Sequence, residues 1–382
     1  MNQQPNGSDE VSTDDIALDP QRQQSARSYA AIQRRLMVAE LALSGVLVVA
    51  FLFSGGSRWL KVALSANEHA NWVLIAGYVA ACTLAYSLIT LPLSWYGGYL
   101  LPHRYGLSTQ GAGSWISDEL KSLLLGLVLG IPVAEVIYWL LGSQPDAWWA
   151  WAGVFLIAVT VLLGHLGPVL IVPLFYKLTP LRDPELLDRI TDLAERTRTR
   201  IAGTYTINLS SRSTAANAMV MGLGSTKRIA LGDTLYSHYT PDEIETIIAH
   251  ELGHQVHHDL ELGILVQSIL LLAGMYVAQL FLRRGVAYFG FSGPGDIAAL
   301  PLLLLAIGIF SLVTLPLSNG YSRWRERLAD RFAVHTTGKR TAFIRAMLRL
   351  ANQNLSEADP PRWVVWLLYS HPPIRDRVNV TE

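Results

Sequence analysis

The chain is poor in charge, in net charge and in cysteine. Only 16% of its 382 residues are Asp, Glu, Lys or Arg, against about a quarter in an ordinary soluble protein. Lys and Arg total 30 and Asp and Glu total 30, a balance that excludes nucleic-acid binding driven by bulk charge. The single cysteine, Cys82, excludes an intramolecular disulfide framework and any cysteine-rich metal cluster. It lies in an apolar run and reads as a small core residue. What the chain has in plenty is apolar side chains, 51% of the total, with a mean hydropathy of +0.29. Disordered chains need the opposite balance. This composition belongs to a polytopic membrane protein.

A spanning helix takes roughly 20 mostly apolar residues. Leu36–Phe53, Trp72–Trp95, Ser122–Leu141, Trp148–Phe175, Leu262–Leu282 and Ile297–Leu317 meet that requirement. The fourth is long, and Gly164, Gly167 and Pro173 predict a kink or a re-entrant end. The apolar pattern divides the chain into a polar, disordered tail (1–35), a four-helix membrane region (36–175), a polar segment (176–261), a transmembrane hairpin (262–317) and a second polar segment (318–382). Arg22, Arg27, Arg34 and Arg35 precede the first span, which by the positive-inside rule puts the N-terminus and both polar segments in the cytoplasm. Arg283 and Arg284 fall on the other side and count against that orientation. Either way, two spans separate the polar segments, so they face one compartment and can share a site.

The chemistry sits in the first polar segment. Thr240-Pro241-Asp242-Glu243 is a helix start, with a Thr cap, Pro at the first helical position and Glu three residues after the cap. Ile244, Ile247 and Ile248 give the apolar stripe, and His250-Glu251-Leu252-Gly253-His254 follows. Histidines at i and i+4 share a helix face, so both imidazoles can bind one zinc ion. Glu251 is then the general base for a metal-bound water. With any acid accepted in second place, chance produces this pattern about 0.02 times per chain of this composition.

Catalytic zinc takes three protein ligands and keeps one position open. A metzincin needs glycine at 257 and histidine at 260, where this chain has His257 and Leu260, so the third ligand comes from elsewhere. Glu326-Arg327-Leu328-Ala329-Asp330 offers two acids one turn apart. Taken alone it is a solvated charged face. Joined to a histidine pair in the same compartment, it supplies Glu326 as third ligand and Asp330 as acceptor for a ligand imidazole. Asp259 and Glu261 converge poorly on the metal from beyond His254. Residues 201–210 and 217–231 read as strands, with the turn at Gly222-Leu223-Gly224-Ser225. Asn217-Ala218 is either a strand edge to which a peptide could pair or an ordinary strand entry. Tyr369-Ser370-His371-Pro372-Pro373, with Arg375 and Arg377 after it, holds a histidine in a turn. That histidine is either an oxyanion stabiliser or plain surface.

These pieces resemble the CAAX prenyl protease 1 family, integral-membrane zinc endopeptidases of the gluzincin group. The likeness runs from about Leu91 to Arg377. It includes Leu91-Pro92, Tyr96, Tyr99, Tyr105-Gly106-Leu107-Ser108-Thr109, Trp115, Asp118 and Lys121, then Pro173 to Leu181. Ser213, Asn217-Ala218, Lys227-Arg228-Ile229, Asp233-Thr234-Leu235, the zinc helix, Glu326 to Asp330 and Ser370 to Arg377 follow in family order. The resemblance implies one zinc held by His250, His254 and Glu326, with Glu251 as base and Asp330 behind a ligand histidine. It also implies that His371 and Arg377 stabilise the transition state and position substrate, and that Asn217 and Ala218 border the peptide. Eukaryotic members have seven spans around a chamber, whereas six are counted here. Asp259 stands where prenyl-protein-processing members tend to carry histidine.

The expected fold is therefore a polytopic α-helical membrane protein with an α+β gluzincin-like zinc peptidase domain. Its expected partners are the lipid bilayer and a peptide or membrane-protein substrate, with no nucleic acid and no oligomeric state specified. Two other readings stand beside it. One is an HtpX-type quality-control protease, disfavoured by the Tyr105–Thr109 region. The other is a non-catalytic zinc-stabilised scaffold, disfavoured by an intact Glu251.

Overall fold

Asp19 and Pro20 start the first helix well before the apolar run does. The computed structural model describes residues 17–66, 70–222, 224 and 227–379. Helix α1 spans Pro20–Phe53, and the Asp19 side chain accepts hydrogen bonds from the backbone N–H groups of Gln21 and Arg22. The expected disordered tail over 1–35 is thus helical from residue 20, while residues 1–16 lie outside the described residues. Long-range contacts explain the order. Arg22 donates to the carbonyls of Asn352 and Gln353, Gln23 bridges Ser356 and Ala358, and Arg34 pairs with Glu357 at 2.7 Å.

Helix α2 (Gly56–Ser65) is short, and α3 (Asn71–Ser94) runs through a π-helical stretch at Trp95–Leu100 into α4 (Leu101–Arg104). Pro92 inside α3 lacks the N–H that would continue the regular ladder. Helices α5 (Ala112–Ser143) and α6 (Trp148–Leu166) follow. The kink expected in the fourth run is a second π-helical stretch, Gly167–Ile171, leading to α7 (Val172–Phe175). Among the described residues, six helical segments are long and apolar enough to cross a bilayer: Pro20–Phe53, Asn71–Arg104, Ala112–Ser143, Trp148–Phe175, Asp259–Phe289 and Ile297–Thr337. Leu88, Val128 and Val313 are among their large apolar side chains left facing outward. Water would penalise such a surface, whereas lipid accepts it.

Beyond α7 come β1 (Leu178–Pro180), α8 (Pro184–Arg196), β2 (Gly203–Ile207), β3 (Ala218–Met221), β4 (Arg228–Gly232) and α9 (Asp233–Tyr236). The sheet order is β1-β2-β4-β3, with β2 and β4 parallel and the other two pairs antiparallel. The two expected strand regions are present, and the 217–231 region is the β3–β4 hairpin. Of its expected turn, Leu223 and Ser225 lie outside the described residues. Helix α10 (Pro241–Val256) packs with α8 and α13 (Arg340–Gln353) over this sheet. Leu193, Leu231, Leu235, Ile248, Leu252 and Phe343 are fully enclosed there.

Helix α11 (Asp259–Phe289) enters the membrane and α12 (Leu300–Thr337) leaves it. The boundary drawn at 317/318 is a change of composition and not a break in the chain, because α12 continues for 38 residues across it. The short α14 (Arg362–Leu368) and α15 (Ile374–Arg377) close the chain. The membrane region is joined to the sheet by Leu107–Thr109, which pairs with 212–214 through backbone hydrogen bonds. Beside it, Arg212 grips Asp118 at 2.7 and 3.1 Å.

Candidate active site

Helix α10 begins as its sequence requires. Thr240 Oγ1 accepts from the Glu243 N–H, and Glu243 Oε2 accepts from the Thr240 N–H, a reciprocal cap that fixes where α10 starts. Counting from that cap sets the face on which His250 and His254 emerge. The two rings stand nearly perpendicular, with centroids 4.8 Å apart. Gly253 lets the second helix come close, since a Cβ there would sit 3.3 Å from Ala329 Cα. Through that close approach α12 delivers Glu326.

Three side chains converge. His250 Nε2 lies 3.2 Å from His254 Nε2. Glu326 Oε2 lies 3.4 Å from His250 Nε2, and its Oε1 lies 3.4 Å from His254 Nε2. Atoms about 2.0–2.1 Å from a tetrahedral zinc stand about 3.3 Å from each other, so the donor set fits such an ion. Glu326 Oε2 is buried without a hydrogen-bond partner, as a carboxylate oxygen meant for a cation would be.

Behind the first imidazole, Asp330 Oδ1 lies 2.9 Å from His250 Nδ1. Arg377 donates to both Asp330 oxygens, at 2.6 and 3.0 Å. Burial works against a charged His250 ring, but the Asp330 and Glu326 carboxylates beside it outweigh that and raise the imidazole to about 9. The surroundings of this ring favour positive charge.

A cavity of about 290 Å³ opens over these groups. Glu251, His371, Arg377, Asn217 and Ala218 all line it together with the three convergent side chains. Ala218 begins β3, the last strand in the sheet order, so that strand has a free edge. His371 Nε2 lies 3.4 Å from Glu326 Oε1, and its Nδ1 is 2.9 Å from Ser370 Oγ. His250, Glu251, His254, Glu326, His371, Arg377, Asn217 and Ala218 thus share one site, with Asp330 enclosed behind it. Arg377 lines the cavity while its guanidinium is engaged by Asp330 and nearly buried.

Asp259, set aside above as a metal ligand, and its neighbour Arg325 have a place at the site that the sequence does not announce. Asp259 Oδ2 lies 2.7 Å from His254 Nδ1, and Arg325 holds the same carboxylate. No local signal in the sequence marks the left-handed turn at His258 that brings Asp259 back toward the site.

Known protein families match the chain over most of its length. The model of peptidase family M48 matches residues 180–382, and that of the CAAX prenyl protease N-terminal region, five membrane helices, matches 12–177. Within the latter range this chain has four of its six span-length helices, plus the short α2. The metalloprotease YhfN of Bacillus subtilis is 33% identical over 361 residues, covering 94% of this chain and 84% of its own. The CAAX prenyl protease 1 homolog of Arabidopsis thaliana is 32% identical, covering 79% and 72%. The crystal structure of Ste24p from S. mikatae superposes with a TM-score of 0.83 at 25% identity, over 94% of this chain and 88% of that one. The chain belongs to peptidase family M48, within its CAAX prenyl protease 1 group. It is a multi-pass membrane metalloprotease, an enzyme that hydrolyses peptide bonds with the help of a metal. The scaffold reading gives way to that.

Proposed function

We propose that His250, His254 and Glu326 hold one zinc ion per chain, and that the enzyme cuts membrane-associated peptides in the manner its CAAX prenyl protease relatives' names describe. The observation that carries this reading is the set of donor separations, 3.2, 3.4 and 3.4 Å, on the wall of a cavity that also holds Glu251. Zinc bound there would polarise the scissile carbonyl and acidify a water molecule. Glu251 takes the proton from the attacking water and delivers it to the leaving amine. His371 donates to the oxyanion that develops on the carbonyl. Arg377, held on Asp330, keeps the first ligand's carboxylate ionised and oriented. The peptide lies in extended form along β3, pairing with the free edge that starts at Asn217-Ala218.

The catalytic segments face the cytoplasm in this proposal. The arginines before the first span support it. On the opposite side Arg283 is ion-paired to Asp146 at 2.5 Å, so one of the two contrary cations is locally compensated. The test uses purified full-length enzyme in liposomes with a library of peptides and membrane-protein termini. Glu251→Gln should keep its zinc and lose about 10²–10⁴-fold in cleavage rate. Equal cleavage by the variant would overturn the assignment of the base, and with it the mechanism.

A further inference from the structure

Both imidazoles point Nε2 at Glu326, and each has its Nδ1 against an aspartate that an arginine holds. For His250 these are Asp330 and Arg377; for His254 they are Asp259 and Arg325. Resting on the zinc reading above, we infer that Asp259 and Arg325 form a positioning pair that sets the tautomer and angle of the second ligand, and that they do so from the two helices of the transmembrane hairpin.

The backbone explains how an aspartate five residues after His254 can reach it. In an unbroken helix residue i+5 stands about 140° around the axis and points away. Here α10 ends at Val256, and His258 takes a left-handed conformation (φ 54°, ψ 39°). Non-glycine residues seldom adopt that conformation. The chain turns there, α11 starts at Asp259, and its carboxylate returns to His254 Nδ1 at 2.7 Å. Arg325 secures the turn. Its Nε donates to Asp259 Oδ1 at 2.6 Å, and a terminal nitrogen contacts the same oxygen and donates to the His257 carbonyl at 2.7 Å. Arg325 and Asp259 are both nearly enclosed, with side chains 10% and 11% exposed. The pair is therefore poorly screened and geometrically fixed.

The consequence for the ligand is direct. An imidazole whose Nδ1–H is donated to a carboxylate carries its lone pair on Nε2 and cannot rotate freely. Arg325 immediately precedes Glu326, so one turn of α12 supplies both a metal-facing acid and the cation that orders the other ligand's support. Asp259 belongs to the first turn of α11 and Arg325 to α12. The angle of His254 consequently follows the mutual position of spans five and six.

The experiment is a zinc competition titration with a chelator on full-length protein in detergent. Asp259→Ala should weaken zinc about 10–100-fold, with isosteric Asp259→Asn falling between it and the parent. Glu261→Gln, on the exposed side of the same turn, should change nothing. Cobalt-substituted Asp259→Asn should show a shifted visible d–d spectrum, a readout that a purely structural role would leave in place. If both Asp259 variants hold zinc within twofold of the parent while His254→Ala loses it, the positioning role is overturned and the ligand reading survives. If His254→Ala also keeps its zinc, the ligand reading itself fails.

Discussion

His250 and His254 leave the same helix toward the same point, yet different parts of the chain hold them. The support of His250 comes from the far part of α12 and from α15. Asp330 is fully buried and Arg377, which forks onto it, comes from the last short helix. The support of His254 is built where the hairpin enters and leaves the membrane, and that ring is more open, with a side chain 22% exposed against 8% for His250. The difference teaches that the first imidazole is held from deep in the peptidase core, whereas the second is held where α11 and α12 join the membrane region to that core.

The largest effect should come from the one residue common to both sides. Glu326→Ala removes the acid that lies 3.4 Å from each imidazole. Zinc measured by elemental analysis should drop from about one per chain toward zero, and cleavage should vanish with it. Full occupancy in that variant would show that the two supports converge on something else.

Asp330→Ala should rank next. It leaves the buried Arg377 guanidinium without its partner, and breaking a buried pair in this way costs about 3–5 kcal/mol. Denaturant or thermal unfolding should register that loss, in addition to weaker zinc binding. The Asp259 variants should weaken zinc with a smaller stability loss, because their site lies nearer the surface. Equal losses at the two aspartates would erase the contrast between core and hairpin.

A smaller effect should appear with pH in chelator-treated protein. The His250 imidazole is raised from 6.5 to about 9 despite its burial, because Asp330 and Glu326 favour the charged ring. A raised imidazole contributes stability that is complete below the unfolded value and is lost as pH rises through the folded one. Melting temperature of the chelated protein should therefore fall between about pH 6.5 and 9. Zinc-loaded protein should show no such fall, since the ring's lone pair is then taken. A flat profile in the chelated protein would mean that the carboxylates do not hold a proton on His250.

Much of this was legible in the sequence because the signals are local. The apolar runs give the spans, and the Thr240–Glu243 box fixes the register of the zinc helix. That register in turn fixes which face carries the histidines. Glu326 and Asp330 were readable from their one-turn spacing once two spans were seen to return the chain to the same side. The unread parts depend on contacts distant in sequence or on an unusual backbone angle. Residues 20–35 look like a solvated tail and are ordered by grips on 352–358. The parallel pairing of β2 with β4 skips the strand between them. Asp259 was dismissed because a straight helix would carry it away, and nothing in His257-His258 announces a left-handed residue.

One unbroken helix, α12, runs from Leu300 through the bilayer to Thr337 and carries Glu326 on its way. The apolar run ends at Leu317, nine positions earlier, so at 1.5 Å per residue the acid stands about 14 Å beyond that level. About four residues of extended chain span the same distance. The distance of Glu326 from the end of the apolar run is thus built into the length of a single rod.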